Sequence, residues 1–479
     1  MIRRPLVLAL AAVISTAALL PGTAAAEDLL QTYELARTGD PQLSAAESGR
    51  LATREGAVQA RAAMLPQIGG SASLEKARSE GPGTFQGDPT EPTVSGDVKT
   101  DSTTRRAGVQ LDQMIFDRSR FTTLRSQNAL SRASDFQLES ASDVLITRTS
   151  AAYFNVLVQL ETLAAAEAAE AALQKQFDFA SKRLEVGLAP ITDVHEARAQ
   201  FDSARANTIL ARNAVEDAYQ ALAEITGQPV RNLQGLPKDF QPVLPESQGS
   251  EQWVQSATKN NPALAAKQAQ VESTEANIET ARSGHWPTLY LGAGYGYNKV
   301  TGERTFSSGS FSLPPSPIDS ENRGPSVGIT LSVPIFSGGA VQSRVRQAIA
   351  QRDVASDELE QQKRALVRNT RNAYQTLVAG VSEVEARRLA LFSAQSAYDA
   401  SQVGLEVGTR TVLDVLNNQR NLFTAQQAYA LARYNYLQNR LLLEQAAGTL
   451  DVADVQDINR LLTVNAEAQV ATPPATPRR

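Results

Sequence analysis

Two periodicities divide the chain. Four short runs alternate apolar and polar residues: Ile68, Ala72 and Leu74 mark the first; Ala107, Val109, Leu111 and Ile115 the second; Leu289, Leu291, Ala293, Tyr295 and Tyr297 the third; Val327, Ile329, Leu331, Val333 and Ile335 the fourth. Gly292, Gly294, Gly296 and Asn298 fill the alternate positions of the third run, and Ser326, Gly328, Thr330 and Ser332 those of the fourth. Period two predicts strands with one apolar face and one small, polar face. Gly/Pro/Ser-rich stretches at about 77–104 and 299–324 separate the runs of each pair and predict two hairpins with long polar loops. A single such run would fit a half-buried strand of a soluble sheet, but four in two hairpins fit a transmembrane barrel.

The remainder reads as helix. Asp117 to Val186 holds neither glycine nor proline over 70 residues, which as one helix would measure about 105 Å. A bilayer core is only about 30 Å thick. The stretch is rich in alanine and carries Arg148, Glu161, Glu167 and Glu170, so it must stand in water and pack sideways on other helices. Residues 191–226 and 42–64, together 59 residues, would span about 90 Å and nearly match it when stacked end to end.

The pattern is written twice. "RLEVGLAPITDVHEARAQ" at 183–200 returns as "GLEVGTRTVLDVLNNQRN" at 404–421, an offset of 221 residues. The same offset relates Asp40-Pro41 to Asn261-Pro262, Ala211-Arg212 to Ala432-Arg433 and Gly227 to Gly448, and 184–227 shares twelve identities in 44 ungapped positions with its partner. Such self-similarity is the mark of an internal duplication. The expected divisions are a first repeat at 27–227, a Pro/Gly-rich linker at 228–250, a second repeat at 251–448 and a largely disordered tail at 449–479.

Composition narrows the class. Arg3 and Arg4, the apolar run from Leu6 to Leu20 and Ala24-Ala25-Ala26 predict a secretory signal peptide over 1–26. The absence of cysteine excludes disulfides, thiolate metal sites and a lipid-anchored N-terminal cysteine. No later apolar run is long enough for a spanning helix, so membrane insertion must use strands. With 46 Lys+Arg against 51 Asp+Glu and no basic block, nucleic-acid binding is not expected. His195 and His285 lack metal-ligand spacing, and neither an enzyme nor a cofactor is expected. Four strands cannot close a barrel, since transmembrane barrels begin at eight; a trimer pooling twelve would enclose a lumen.

The duplicated plan, with "VGTRTVLDVLNNQRNLFTAQQAYALARYNYLQNRLLLEQAAGTL" and its partner "VGLAPITDVHEARAQFDSARANTILARNAVEDAYQALAEITGQ", closely resembles the TolC family of outer-membrane channel-tunnels. The resemblance covers nearly the whole mature chain. It implies a mainly α protein with a transmembrane β-barrel: a homotrimer in the outer membrane lipid, sharing one twelve-stranded barrel that continues into a long periplasmic α-helical barrel. It implies an exit duct fed by an inner-membrane transporter (ABC, RND or similar) through a periplasmic adaptor, with small toxic compounds or a polypeptide as cargo. The rival from another class is a non-conducting coiled-coil scaffold or surface adhesin, which would have no barrel.

The resemblance also assigns residues. Gly187 and Gly408 end the long helices, where a glycine is ordinarily a left-handed cap; the resemblance places Val186, Gly187, Val407 and Gly408 at the tip where the adaptor docks. Asp193 and Asp414 fall in first helical turns, where the helix dipole favours a carboxylate; the resemblance puts Asp414 in an acidic ring at the tunnel entrance, with Asn417 where the family has a second acid. Arg410, whose counterpart in the first copy is Ala189, is implied to latch onto Asp193 beside Thr192, and Leu405 replaces a tyrosine of that latch.

Overall fold

The structure is a computed structural model that describes residues 28–471 except 91, 189 and 245–248; the expected signal peptide lies outside the described residues. In chain order the elements are α1 (Leu29–Gly39), α2 (Pro41–Ala62), β1 (Gln67–Phe85), β2 (Val94–Phe116), α3 (Arg118–Glu185), α4 (Ile191–Thr226), β3 (Gln234–Gly235), α5 (Ser250–Asn260) and α6 (Pro262–Arg282). They continue with β4 (Thr288–Ser308), β5 (Phe311–Ser312), β6 (Ser316–Ser332), α7 (Ala340–Glu406), α8 (Val412–Ala447), α9 (Val452–Asn459), β7 (Val464–Asn465) and α10 (Ala466–Ala471). Among the described residues two compact units result, one of 28–43, 142–256 and 369–471, the other of 44–141 and 257–368.

The second unit carries the sheet. β1 pairs with β2, β2 with β4 and β4 with β6, all antiparallel, while β5 folds back on the end of β4. β1 and β6 are therefore open edges. Ile68, Leu74, Val109, Tyr295, Val327, Ile329 and Leu331 are exposed on one face, and glycine, serine and other polar residues alternate onto the other, as the period-two pattern requires. The strands run to 19, 23, 21 and 17 residues, so the long polar loops expected at 77–104 and 299–324 are mostly strand. Apolar alternation stops where lipid contact would stop, but the backbone ladder needs no apolar side chains and continues. The fourth strand ends at Ser332, short of Ile335, because Pro334 has no N–H to donate to a ladder.

Small residues let the helices of this unit approach closely. Ala129, Ala133, Ala266, Ala269 and Ala276 are buried, and buried Ser126 and Ser273 share a hydrogen bond of 2.8 Å between α3 and α6. Asp117 caps α3 by accepting from the Ser119 backbone N–H at 2.9 Å and from the Tyr290 hydroxyl at 2.7 Å, which ties β4 to the start of that helix.

In the first unit α1 lies on α4 so tightly that a Cβ on Gly39 would stand 2.2 Å from the Thr226 carbonyl oxygen. The linker backbone is clasped by tyrosines. Tyr153 Oη donates to Gln234 O and accepts from Gln234 N, Tyr434 Oη accepts from Leu236 N, and Tyr436 Oη accepts from Val243 N. Beneath it, Arg433, with its side chain 4% exposed, donates to Glu161 Oε2 at 2.5 Å and to Pro237 O at 3.1 Å.

The expected disordered tail is folded as far as Ala471. Asp451 and Asp454 form a capping box on α9, Val455, Ile458 and Leu462 are buried, and Asn459 Oδ1 accepts from Leu29 N at 3.0 Å. The prolines that suggested disorder lie at 473–477, past this helical pattern. No described helix is long and apolar enough to cross a membrane.

Candidate functional site: the two helix-hairpin turns

Each long helix turns back through a glycine, and the first unit holds both turns. At the first, Leu188 N donates to Arg183 O at 2.8 Å and Gly187 N to Leu184 O at 2.9 Å, with Gly187 at φ 71°. At the second, Thr409 N donates to Gly404 O at 2.8 Å and Gly408 N to Leu405 O at 3.2 Å, with Gly408 at φ 79°. These are Schellman-type caps, and the positive φ is what glycine supplies. Val186 and Val407 are each 67% exposed beside their glycines. The sequence-predicted tip residues thus form two apolar, outward-facing points.

The turns differ in how the next helix starts. Pro190 precedes α4 and gives no side-chain cap. Thr411 precedes α8 and forms a capping box: its hydroxyl accepts from Asp414 N at 3.2 Å, and Asp414 Oδ2 accepts from Thr411 N at 3.0 Å and from Thr411 Oγ1 at 2.9 Å. These hydrogen bonds, chiefly the backbone one, hold the Asp414 carboxyl below its usual range, with the Arg410 charge a smaller cause. Thr411 was missed in reading the sequence, although Thr-x-x-Asp before an apolar run is its signal.

Arg410 is exposed, and its charge bears on Asp414. Among the described residues no ion pair joins it to Asp193 within the chain; the first ion pair along α4 is Arg198 with Asp202. Thr192 is exposed and Asp193 half-buried on the first turn of α4. Asn417 accepts from Arg420 at 3.4 Å. Leu405 points inward, 9% exposed, in a cluster with Leu173, Ala204, Val412, Val415 and Leu416, which joins both hairpins into one core. Beside it a cavity of about 120 Å³ is lined by Leu173, Gln200, Leu416, Gln419 and Phe423. His195 and His285 are exposed, and among the described residues no cluster of His, Asp or Glu could hold a metal ion.

A duplicated strand-and-helix plan, an apolar sheet face with two open edges, and paired helical hairpins ending in glycine turns define an outer-membrane channel-tunnel. A family model for outer membrane efflux proteins matches residues 32–228 and 253–449. The chain belongs to the outer membrane efflux protein family. It is 33% identical over 439 residues to the outer membrane protein TolC of Vibrio cholerae, covering 92% of this chain and 94% of that one. It is 30% identical over 434 residues to the alkaline protease secretion protein AprF of Pseudomonas aeruginosa, covering 89% and 86%. The solved CmeC outer membrane channel of Campylobacter jejuni superposes with a TM-score of 0.71 at 17% identity, covering 91% and 90%. The protein resides in the outer membrane and extends into the periplasm.

Proposed function

We propose that three copies pair β6 of one chain with β1 of the next to close a twelve-stranded barrel, and that the assembly is the outer-membrane exit duct of a tripartite export system. The observation that carries this reading is the four-stranded sheet with an apolar face and two unsatisfied edges, which is stable in lipid only when closed. The tip residues Val186, Gly187, Val407 and Gly408 dock a periplasmic adaptor, which couples the duct to an inner-membrane transporter. Cargo is chosen by that transporter. Relatives named for efflux and for protease secretion support both small toxic compounds and polypeptides as cargo classes.

Asp414 forms the entrance ring, and Arg410 latches across the mouth to Asp193 and Thr192 of a neighbouring hairpin in the closed trimer. An exposed pair contributes at most about 1 kcal/mol, so three give about 3. Full reversal of a closed equilibrium takes about 5.5 kcal/mol. Coiled-coil packing around Leu405 and Val415 therefore contributes to closure, and adaptor binding favours the open state.

The purified protein in detergent has a mass near three chains and conducts ions in planar bilayers. A detergent-free soluble monomer, or a trimer that conducts nothing after the mouth is opened by substitution, overturns the duct. Deleting the gene and scoring drug sensitivity against loss of secreted protein separates the two cargo classes.

A further inference from the structure

Strand register sorts the outward face of the sheet into rows of neighbouring side chains. The pairings place Ile68, Leu111, Ala293 and Val327 in one row, Gly70, Val109, Tyr295 and Pro325 in the next, and Ala72, Ala107, Tyr297 and Arg323 in the third. The fourth holds Leu74, Arg105, Lys299 and Glu321. Toward the helices the same face is bounded by Phe116 and Trp286, both partly exposed and 6.5 Å apart. From Trp286 to Tyr297 is eleven residues along the chain, about the length of a tilted strand that crosses a bilayer between two aromatic girdles. The third and fourth rows therefore lie at the headgroup level of the outer leaflet.

At that level charge appears abruptly, three cations against one acid. Arg105 stands directly opposite Lys299, a pairing of like charges that is unfavourable by itself. Lys299 has a neutralising partner in Glu321 at 3.3 Å. Arg105 has none. Its cross-strand and diagonal neighbours on this face are Leu74, Ala72, Lys76, Lys299, Tyr297 and Thr301, and its own strand offers Thr103 and Ala107. β2 is an interior strand, so all of these come from this chain and closing the barrel supplies no acid. Arg323, also exposed, lies one row below, diagonal to Lys299. Farther from the membrane the excess disappears, as Arg78 pairs with Asp101 and Asp319 and Glu303 join the face.

We infer that Arg105, Lys299 and Arg323 form a binding site for the phosphate groups of the phosphorylated glycolipid of the outer leaflet, with Tyr295 and Tyr297 packing on its acyl-chain boundary. The site rests on the outer-membrane location and not on the duct's gating or cargo. Arginine suits phosphate through its planar fork of donors, and three cations at one depth match a ligand with more than one phosphate. The glycolipid satisfies the unpaired guanidinium that the sheet leaves at a membrane surface.

The test uses the full-length channel in nanodiscs doped with a bis-phosphorylated glycolipid, the same glycolipid after enzymatic removal of its phosphates, or phosphatidylglycerol. Heat-modifiable migration checks assembly of each variant. Wild type should bind the bis-phosphorylated form most tightly, and Arg105→Gln with Arg323→Gln should weaken that binding roughly thirty-fold, as expected for two cations lost at a charged surface. Arg105→Lys with Arg323→Lys should recover most of it. Arg304→Gln, on the opposite face of β4, should leave it unchanged. Equal binding of phosphatidylglycerol, equal binding by the double glutamine variant, or an equal loss with Arg304→Gln overturns the site. Conductance and trimer mass are unaffected by these outcomes, so failure here is distinguishable from failure of the duct.

Discussion

The two repeats share a backbone plan and have diverged in how their polar groups are held. Asp193 follows an uncapped Pro190, whereas its equivalent Asp414 is locked to Thr411. Arg212 makes an ion pair with Glu167 while 61% exposed, whereas its equivalent Arg433 is buried on Glu161 under the linker. Glu444 is buried where the first copy has Ala223. Duplication supplied the geometry, and the second copy then tied its charges into the chain while the first left them accessible. An aspartate without a cap of its own suits the proposed latch, whose cation, Arg410, only the other copy carries.

The largest difference between the copies should appear in stability. Arg433→Ala leaves the Glu161 carboxylate without its cation, with only the Tyr434 hydroxyl donating to it at 3.0 Å, and should cost about 3 kcal/mol, as for other broken buried pairs. Arg212→Ala should cost about 0–1 kcal/mol, as for exposed pairs. Denaturant midpoints of the two variants check this, and equal losses would remove the asymmetry.

Glu444 comes next. Burial pushes its carboxyl up to about 7, with Asp454 on α9 adding to the rise and Arg440, which donates at 3.2 Å, opposing it. A raised carboxyl means that the folded state holds a proton which the unfolded chain has already released above about 4.5. The contribution is therefore full below pH 4.5 and lost as pH rises through 7, on the order of 3 kcal/mol. Protection factors of the α9 amides, that is, exchange corrected for its intrinsic base-catalysed rate, should be higher at pH 5.5 than at pH 8.5. Glu444→Gln should flatten that dependence, while the wild type's sloping the other way would contradict it.

The copies also show what a sequence pattern can carry. Period two, the glycine-free helical stretch and the 221-residue echo made the fold legible, because each reflects a local constraint on backbone or burial. Strand length was not legible beyond the lipid-facing rows, since a ladder of Ser, Thr and charged residues looks like a polar loop. The folded tail was obscured by its prolines, although Val455, Ile458 and Leu462 carry a helical spacing. At the site, the glycine turns and both aspartates were readable. The absence of an Arg410–Asp193 pair within one chain depends on packing between hairpins, which no local pattern encodes.

Smaller effects fall on the mouth. In the proposed latch Arg410→Glu would place like charges opposite Asp193 and should raise single-channel conductance, and adding Asp193→Arg should partly restore closure if the two pair. Unchanged conductance in Arg410→Glu would remove the latch. Asp414→Ala should abolish block by multivalent cations from the periplasmic side, because the three carboxylates of the proposed ring would concentrate cations at a narrow mouth. Since Thr411 holds the Asp414 carboxyl below its usual range, block should persist to lower pH than for an ordinary aspartate. It should fade as pH drops through that lowered value. Thr411→Ala should move the fading upward in pH, and an unmoved profile would show that the cap does not tune the ring.

The smallest change expected is at Asn417, one turn past Asp414, where a second ring could be built. Asn417→Asp alone would add a second carboxylate per chain at the proposed entrance ring. Yet Arg420 already donates to Asn417 at 3.4 Å on the same helix, and a carboxylate there would be partly neutralised by this i,i+3 neighbour. Cation block should therefore tighten only a few-fold in Asn417→Asp and further when Arg420→Gln is added. The first copy has Glu196 and Ala199 at the corresponding positions, an acid without that arginine. If Asn417→Asp alone tightens block as much as the double change, Arg420 does not reach the lumen-facing charge. The second copy's habit of pairing its charges within the chain would then stop short of the mouth.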